Sequence, residues 1–284
     1  MNFQSACVRF VVAGIAALAP LAGAEAVAVK AEHVTVELVS ESSGLVPGEI
    51  AWLGLRLRHD PHWHTYWINP GDSGLPTRLK WQLPDGFAAD AIVWPAPTRF
   101  EIGGLYNFGH AGEVVLPVAI HVPKNASPGR SVPLAVDASW LVCREECITG
   151  KARLDLELPV VAHEALRDSA HANLFASARN ATPAATDWSG SARLTGNQVE
   201  IRLKGADLPQ VAGLDVFAVE RRILGNAPPD MHRDGNDLVI IARKNDYFDE
   251  TPAMLDLVLT SGMTNGHASA WQVRVPFHVD AQSD

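Results

Sequence analysis

Hydrophobic and polar residues alternate along much of the chain between residues 50 and 160. An alternation with a period of two places successive side chains on opposite faces of a strand, so each such run predicts a strand with one buried face. The clearest runs are residues 53–57, 79–83, 114–122, 132–142 and 154–158. Turn sequences rich in Gly, Pro and Asp separate them, as in Asn-Pro-Gly-Asp at 69–72. Short strands between frequent turns favour an antiparallel β-sandwich of immunoglobulin-like type.

The alternation stops near residue 160. Residues 163–179 are rich in Ala, Leu and Glu and predict one helix, which Pro183 should end because proline disfavours helical backbone in the residue before it. Alternation then resumes in the runs 199–203, 214–219, 238–242, 255–259 and 271–279. The predicted fold is therefore all-β: an immunoglobulin-like antiparallel β-sandwich at 30–160, a helical linker at 161–184 and a second, smaller β-sandwich at 185–284.

The first 24 residues have the pattern of a secretory signal peptide. Arg9 precedes an apolar run at 10–19, and the small residues Ala22-Gly23-Ala24 follow it. The run is short for a membrane span, which needs about 20 apolar residues. The alternative is a retained membrane anchor. Cleavage at residue 24 would place the remaining chain in the periplasm.

Charge and motifs exclude some classes of protein. The 284-residue chain has a formal net charge of −9, which argues against nucleic acid as a partner because phosphate binding is driven by Lys and Arg. We find no glycine-rich phosphate loop. There is also no Gly-x-Ser-x-Gly motif to supply the nucleophile of a hydrolase.

Two cysteines carry the clearest chemistry. Cys7 would leave with the signal peptide, and Cys143 and Cys147 remain. An oxidising compartment favours a disulfide between them, and three intervening residues allow the chain to turn back at the end of a strand. Because stabilisation by a disulfide grows with loop length, so short a loop is a weak structural staple. Spacing alone leaves two interpretations open, a redox-active pair and an inert surface disulfide.

The neighbours of the cysteines influence the redox potential. Glu145 and Glu146 should disfavour a nearby thiolate, and Arg144 should offset this in part. Strongly oxidising sites have a helix N-terminus or a protonated histidine beside the thiol instead. We therefore expect a carrier of reducing equivalents and not a strong oxidant.

Two segments that contain histidine are considered as candidate metal sites. His62 and His64 are two residues apart and would share a face on a strand, where with two thiolates they would suit copper or zinc. The favoured interpretation is an ordinary polar strand face, and copper is kept as the lesser hypothesis. His232, Asp234 and Asp237 are predicted to lie in a solvated turn.

Four segments together resemble a known family. They are Trp-His-Thr-Tyr-Trp-Ile-Asn-Pro-Gly-Asp-Ser-Gly-Leu-Pro-Thr at 63–77, Trp-Pro-Ala-Pro-Thr-Arg at 94–99, Tyr-Asn-Phe-Gly at 106–109 and Trp-Leu-Val-Cys-Arg-Glu-Glu-Cys at 140–147. The set resembles the N-terminal periplasmic domain of DsbD-type protein-disulfide reductases. It is most similar to the variant found in the suppressor-of-copper-sensitivity proteins, ScsB. The segment after residue 160 resembles that variant more weakly.

The resemblance implies an immunoglobulin-like domain whose cysteine pair shuttles electrons without a cofactor. A membrane electron-transfer protein would reduce the pair, which would then reduce disulfide isomerases or other thioredoxin-fold proteins of the periplasm. It implies that Cys147 exchanges with partners and that Cys143 resolves. It also implies a cap loop at 100–110 that shields the pair, with Phe100, Tyr106 and Phe108 as its aromatic residues. The glycines that would let this loop open are Gly103, Gly104 and Gly109.

The chain departs from the family in two ways. Its cysteine spacing is shorter than in the best-known members, and it has neither a membrane-embedded region nor a thioredoxin-like domain after residue 160. We therefore expect the electron donor to be a separate protein, or the chain to be a fragment of a larger one. Copper tolerance and cytochrome c biogenesis are the processes that the resemblance suggests.

Two other functions stay open at this point. One is a non-enzymatic β-sandwich that binds copper or a protein and has a structural disulfide. The other is a carbohydrate-binding sandwich, suggested by the aromatic residues Trp63, Tyr66 and Trp67.

Overall fold

The first half of the computed structural model is built from two antiparallel sheets. The structure describes residues 27–262 and 269–279, and the predicted signal peptide at 1–24 lies outside them. The strands of this first sandwich are β1 (Val29–Ala31), β2 (Val34–Ser40), β3 (Ile50–His59), β4 (His64–Gly71), β5 (Arg78–Gln82), β6 (Ala88–Ala89), β7 (Thr98–Ile102), β8 (Leu105–Ala111), β9 (Glu113–His121), β10 (Ser131–Cys143) and β11 (Cys147–Pro159).

One sheet has the order β1-β2-β3-β9-β6, and the other has the order β11-β10-β4-β8-β7, with β5 also pairing with β10. The alternate apolar residues of both sheets meet in one core, as the sequence pattern predicts. Leu53, Leu55 and Leu57 of β3 are fully buried there, opposite Leu134 and Val136 of β10. The immunoglobulin-like β-sandwich is confirmed.

The linker contains a helix that is shorter than predicted. A 3₁₀ turn covers His163–Ala165, and the α-helix, α1, covers Ala172–Ala181. Residues between them are extended because they hydrogen-bond to the chain after β2. The Ser43 amide donates to the Arg167 carbonyl at 2.8 Å, and the Ser169 amide donates to the Glu41 carbonyl at 2.9 Å. The predicted single helix over 163–179 is therefore wrong in its first half, while its end before Pro183 agrees with the prediction.

Helix α1 lies on the outer face of the sheet formed by β1, β2, β3, β9 and β6. Phe175 is 1% exposed and packs against Val39 and Val115. Gly54 makes room for it, since a Cβ at that position would lie 2.5 Å from the Val115 side chain and 3.3 Å from the Phe175 ring. Within the described ranges, no helix has the length and apolar character that crossing a bilayer requires.

The second sandwich follows α1. Its strands are β12 (Ala184–Ala185), β13 (Ser189–Thr195), β14 (Gln198–Lys204), β15 (Leu214–Ala218), β16 (Asp230–Asp234), β17 (Asp237–Arg243), β18 (Met254–Ser261) and β19 (Ala270–Val279). They pair in the order β15-β18-β19-β13-β14-β17-β16. Strand β19 belongs to both layers: it pairs with β18 from Ala270 to Pro276 and with β13 from Phe277 to Val279. Side chains of both layers form a second core.

The strand β16 corrects one prediction. His232 lies on this strand opposite Val239, and the turn is limited to the two residues between Asp234 and Asp237. The strand is at the edge of the sheet and alternates between exposed and half-buried positions. Because the residues of β16 are mostly polar, the hydrophobic alternation did not predict this strand.

Candidate functional site: the Cys143–Cys147 disulfide

A disulfide joins Cys143 and Cys147 at the end of the β10–β11 hairpin. The two residues are the last opposed pair of the β10–β11 ladder, and their Cα atoms are 4.2 Å apart. Residues 144–146 form the turn, in which the Arg144 amide donates to the Glu146 carbonyl at 3.1 Å. The structure thus has both the pairing and the strand-end position that the spacing predicts.

The two halves of the disulfide differ in exposure. Cys143 is 1% exposed, while Cys147 is an exposed residue. Cys143 ends the inner strand β10 and pairs with His64 of β4 on its other side, whereas Cys147 begins the edge strand β11. An attacking group from solution therefore meets Cys147 and not Cys143.

Tyr66 and His64 of β4 form the floor beside the disulfide. The Tyr66 hydroxyl lies 3.4 Å from the Sγ of Cys147, and both Tyr66 and His64 are 1% exposed. Their rings make an edge contact at 5.2 Å between centroids, as expected for residues two apart on a strand.

Burial keeps both side chains neutral near pH 7. Desolvation, with a smaller contribution from His59, lowers the pKa of His64 from 6.5 to about 4, and no partner contacts its Nε2 atom within the described structure. Burial also raises the pKa of the Tyr66 hydroxyl above 10.0, so that this group keeps its proton. Neither residue brings a positive charge to the disulfide.

The predicted cap loop is a β-hairpin. Strands β7 and β8 pair from Thr98 opposite Gly109 to Ile102 opposite Leu105, and the hairpin turns at Gly103 and Gly104. These glycines have φ angles of 59° and 83°, and positive φ at both central residues is the geometry of a type I′ turn. The predicted loop is therefore an ordered pair of strands. The two glycines adopt the positive φ angles that the tight turn between these strands requires.

Of the three aromatic residues predicted for the cap, Phe100 is the one that contacts His64 beside the disulfide. Its ring stacks on the imidazole of His64, with centroids 4.4 Å apart and an interplanar angle of 18°. Since His64 is opposite Cys143 in the ladder, the Phe100 ring shields this side of the disulfide.

Tyr106 and Phe108 lie elsewhere than the resemblance suggested. Tyr106 pairs with Glu101, the residue after Phe100, so its side chain lies on the face of the hairpin opposite Phe100. The Tyr106 amide donates to the Asp72 carboxylate at 2.7 Å, which ties the hairpin to the turn after β4. Phe108 is 2% exposed and makes an edge contact with Phe217 of the second sandwich at 5.0 Å. It pairs with Arg99, the neighbour of Phe100, so its side chain points away from the face that Phe100 occupies.

The two histidines of the metal hypothesis do not share a face. His62 is exposed in a turn with a φ of 71°, whereas His64 is buried at the start of β4. The prediction of a shared face is therefore wrong, because the strand begins after His62. Among residues 27–262 and 269–279, no cluster of three or more His, Cys, Asp or Glu side chains is arranged to hold a metal.

The aromatic residues of the carbohydrate hypothesis are buried. Trp63 is 5% exposed and stacks on His33 at 3.8 Å, and the Arg144 guanidinium lies 5.7 Å from the centre of its ring. Tyr66 and Trp67 are 1% and 2% exposed. These three rings therefore offer no open platform for a sugar.

Comparison with known proteins agrees with this geometry. Residues 35–159 match the family model described as "Thiol:disulfide interchange protein DsbD, N-terminal". The first sandwich is thus similar to the DsbD N-terminal domain, and the resemblance inferred from the sequence is confirmed. This match and the disulfide together support a thiol–disulfide interchange module.

One solved structure has the same fold over most of the chain. It is the N-terminal periplasmic domain of ScsB from Proteus mirabilis, with a TM-score of 0.66 and 19% identity, covering 90% of this chain and 99% of that one. A two-domain Ig1-2 module of the Drosophila receptor protein tyrosine phosphatase DLAR matches with a TM-score of 0.19 and 14% identity, covering 87% and 99%. The YadV chaperone matches with a TM-score of 0.22 and 10% identity, covering 84% and 98%. The last two similarities are too low to carry an argument. The comparison with curated proteins gave no match.

Proposed function

We propose that the chain is a periplasmic thiol–disulfide exchange protein. In this proposal, the Cys143/Cys147 pair takes reducing equivalents from a membrane electron-transfer protein and passes them to thioredoxin-fold partners, including disulfide isomerases. The observation that carries the proposal is the difference in exposure between the two cysteines. A buried Cys143 beside an exposed Cys147 suits a resolving sulfur beside an exchanging one.

The proposed exchange needs only the two sulfurs. In the dithiol form, the Cys147 thiolate attacks the disulfide of a partner, forms a mixed disulfide and releases one partner thiolate. The Cys143 thiolate then attacks the Sγ of Cys147, re-forms the Cys143–Cys147 bond and releases the second partner thiolate. The partner gains two electrons and two protons, and the chain loses them. The reverse sequence with a reduced donor restores the dithiol.

The surroundings of the pair support a mildly reducing carrier. Arg144, Glu145 and Glu146 are exposed in the turn, so their charges partly cancel and water screens them. Neither His64 nor Tyr66 supplies the positive charge that would stabilise a thiolate. A reduced form without such stabilisation gives up its electrons readily.

The periplasm is the compartment in which this exchange fits. The signal-peptide pattern at 1–24 supports it, as does the similarity to a periplasmic domain of ScsB. Disulfides persist in that oxidising compartment, where their partners need a source of electrons.

Trapping the mixed disulfide tests the proposal. A Cys143→Ser chain cannot resolve, so Cys147 should accumulate covalent adducts with thioredoxin-fold proteins in periplasmic extracts, identified by mass spectrometry after non-reducing electrophoresis. Cys147→Ser is the matched control, since its remaining thiol is buried and should form few adducts. Equal adduct levels from the two variants would contradict the assigned roles. No adducts from either folded variant would instead indicate a binding protein with a structural disulfide.

A further inference from the structure

The cap hairpin separates the disulfide site from the second sandwich. Successive residues of a strand point to opposite faces, and β7 shows this at Arg99 and Phe100. Phe100 stacks on His64 at the disulfide, while Arg99 and its cross-strand partner Phe108 face the second sandwich. One face of the hairpin thus covers the site, and the opposite face lies against β15 of the second sandwich.

Arg99 anchors this second face. Its guanidinium forms a bidentate ion pair with Asp215, with the shortest contact at 2.6 Å, and donates to the Val216 carbonyl at 2.8 Å and to the Asn226 carbonyl. It also lies over the rings of Phe108 and Phe217, 4.8 Å and 4.9 Å from their centres. The Arg99 side chain is only 8% exposed. A charge buried to this extent requires all these partners, so moving the hairpin away from the second sandwich is costly.

The turn that holds the other strand of the hairpin is anchored to the same sandwich. Asp72 accepts from the Tyr106 amide of β8, and it also accepts from the Asn226 side chain at 2.8 Å. Asn69, 4% exposed, donates to the Ala218 carbonyl at 2.8 Å. Both strands of the hairpin are therefore fixed to the second sandwich, β7 near its start through Arg99 and β8 close to the hairpin turn through Asp72.

We propose that the second sandwich is a clamp that holds the cap against the buried, Cys143 side of the disulfide, with Arg99 as the positioning residue. This inference rests on the proposed exchange function, to which it adds a duty for the second sandwich. Opening the cap requires Phe100 to leave His64, and because Arg99 is the next residue, that movement strains or breaks the Arg99–Asp215 pair. The clamp therefore sets how often water reaches the buried Cys143 sulfur, which leaves as a thiolate when a thiol attacks the exposed Cys147.

The rate of reduction by dithiothreitol measures cap opening without any protein partner. Arg99→Ala and Asp215→Ala should each speed reduction of the Cys143–Cys147 bond, by about tenfold if the clamp holds the open form to a small population. The two changes act on one contact, so the double variant should be little faster than either single variant. Arg99→Lys keeps the charge but loses the bidentate contact and should be intermediate.

A matched control separates clamping from general loss of stability. Arg56 of β3 pairs with Glu37 and Glu113 on the other sheet, and its side chain is 20% exposed. Arg56→Ala should lower the melting temperature as Arg99→Ala does, yet leave the reduction rate unchanged. Reduction rates equal to wild type in both Arg99→Ala and Asp215→Ala would overturn the clamp, and so would an equal rise in Arg56→Ala.

Failure of the clamp and failure of the exchange function give different results. If the clamp is wrong, the dithiothreitol rates do not respond to Arg99 or Asp215, while Cys143→Ser still traps partners. If the exchange function is wrong, no partner is trapped, while the dithiothreitol rates still report whether Arg99 restrains the cap.

Discussion

The Tyr66 hydroxyl oxygen lies 3.4 Å from the Sγ of Cys147, on the exposed half of the disulfide. Tyr66 itself is 1% exposed, so the hydroxyl reaches the sulfur from inside the sandwich while a partner approaches from outside. A hydroxyl in this position donates to the Cys147 thiolate, the group that attacks the disulfide of a partner. The contact gives Tyr66 a role in exchange that the sequence pattern did not assign.

Tyr66→Phe tests this contact. The change keeps the ring and removes the hydrogen bond, so attack of the Cys147 thiolate of the reduced chain on oxidised glutathione should slow by roughly fivefold, as expected for a loss of about 1 kcal/mol. Because burial raises the pKa of Tyr66, the hydroxyl stays protonated and the ratio of the two rates should be constant from pH 6 to 8. Tyr247→Phe is the control, since Tyr247 is 77% exposed. Equal rates in Tyr66→Phe and wild type would refute the contact.

Phe100→Ala tests the stack on His64. Removing the ring admits water to the imidazole, so the pKa of His64 should rise from about 4 toward its ordinary 6.5. The chemical shift of the His64 ring protons against pH, followed by NMR, measures this rise. Leu105→Ala is the control at the 48%-exposed hairpin tip and should leave the titration as in wild type. If the His64 titration is the same in Phe100→Ala, the ring does not cover the site.

Gly74→Ala should disturb the floor of the site through Tyr66. A Cβ at Gly74 would lie 2.3 Å from ring atoms of Tyr66, and the residue has a φ of 95°. Gly129 has a similar φ of 82° with no atom within 4 Å of its Cβ position, so Gly129→Ala shows the cost of the backbone alone. In urea unfolding, we expect Gly129→Ala to lower the free energy of unfolding by about 1 kcal/mol and Gly74→Ala to lower it by roughly 2–3 kcal/mol.

The displacement of Tyr66 gives Gly74→Ala a second readout. In the reduced chain, attack of Cys147 on oxidised glutathione should slow toward the rate of Tyr66→Phe, whereas Gly129→Ala should react as wild type does. Equal destabilisation by the two glycine changes would show that Tyr66 is free to move aside.

The buried His110 predicts a dependence of stability on pH. Burial, with a smaller contribution from His59, lowers the pKa of His110 from 6.5 to about 3. Between these values the unfolded chain binds a proton that the folded chain does not, so stability is full above pH 6.5 and falls as the pH decreases toward 3. Because of His110, the free energy of unfolding should fall by about 2 kcal/mol between pH 7 and pH 5.

His110→Phe should abolish this part of the pH dependence. Urea unfolding at pH 7 and pH 5 should show a loss smaller by about 2 kcal/mol in His110→Phe than in wild type. His278→Phe changes an exposed histidine and should lose as much stability as wild type. The same loss in all three proteins would mean that His110 is protonated in the folded state.

Strict alternation made the core strands predictable. The alternating residues 132–142 predicted strand β10, which ends at Cys143. The three residues between Cys143 and Cys147 predicted a tight turn of the chain. The difference in exposure between the two cysteines was not predictable, because it depends on which strand lies at the edge of the sheet. That order results from long-range pairing of β4 with β10.

The cap and the histidines show where local patterns fail. Two glycines between short apolar runs were a signal for a hairpin, which would have placed Phe100 and Phe108 on opposite faces. The spacing of His62 and His64 was misleading because His62 adopts a positive φ before β4 begins, and a two-residue period holds only within a strand. Arg99 gave no sequence signal, since its partners lie on a separate sandwich more than a hundred residues later.

The reduction potential of the Cys143–Cys147 pair tests the carrier function most directly. The protein is equilibrated in buffers of reduced and oxidised thiols, quenched with acid and alkylated, and its free thiols are counted by mass spectrometry. We predict one reversible two-electron transition between about −200 and −280 mV, in the range of reducing thiol carriers. A potential near −120 mV, that of a dedicated oxidant, would contradict the account, and so would a disulfide that stays oxidised below about −300 mV as structural disulfides do.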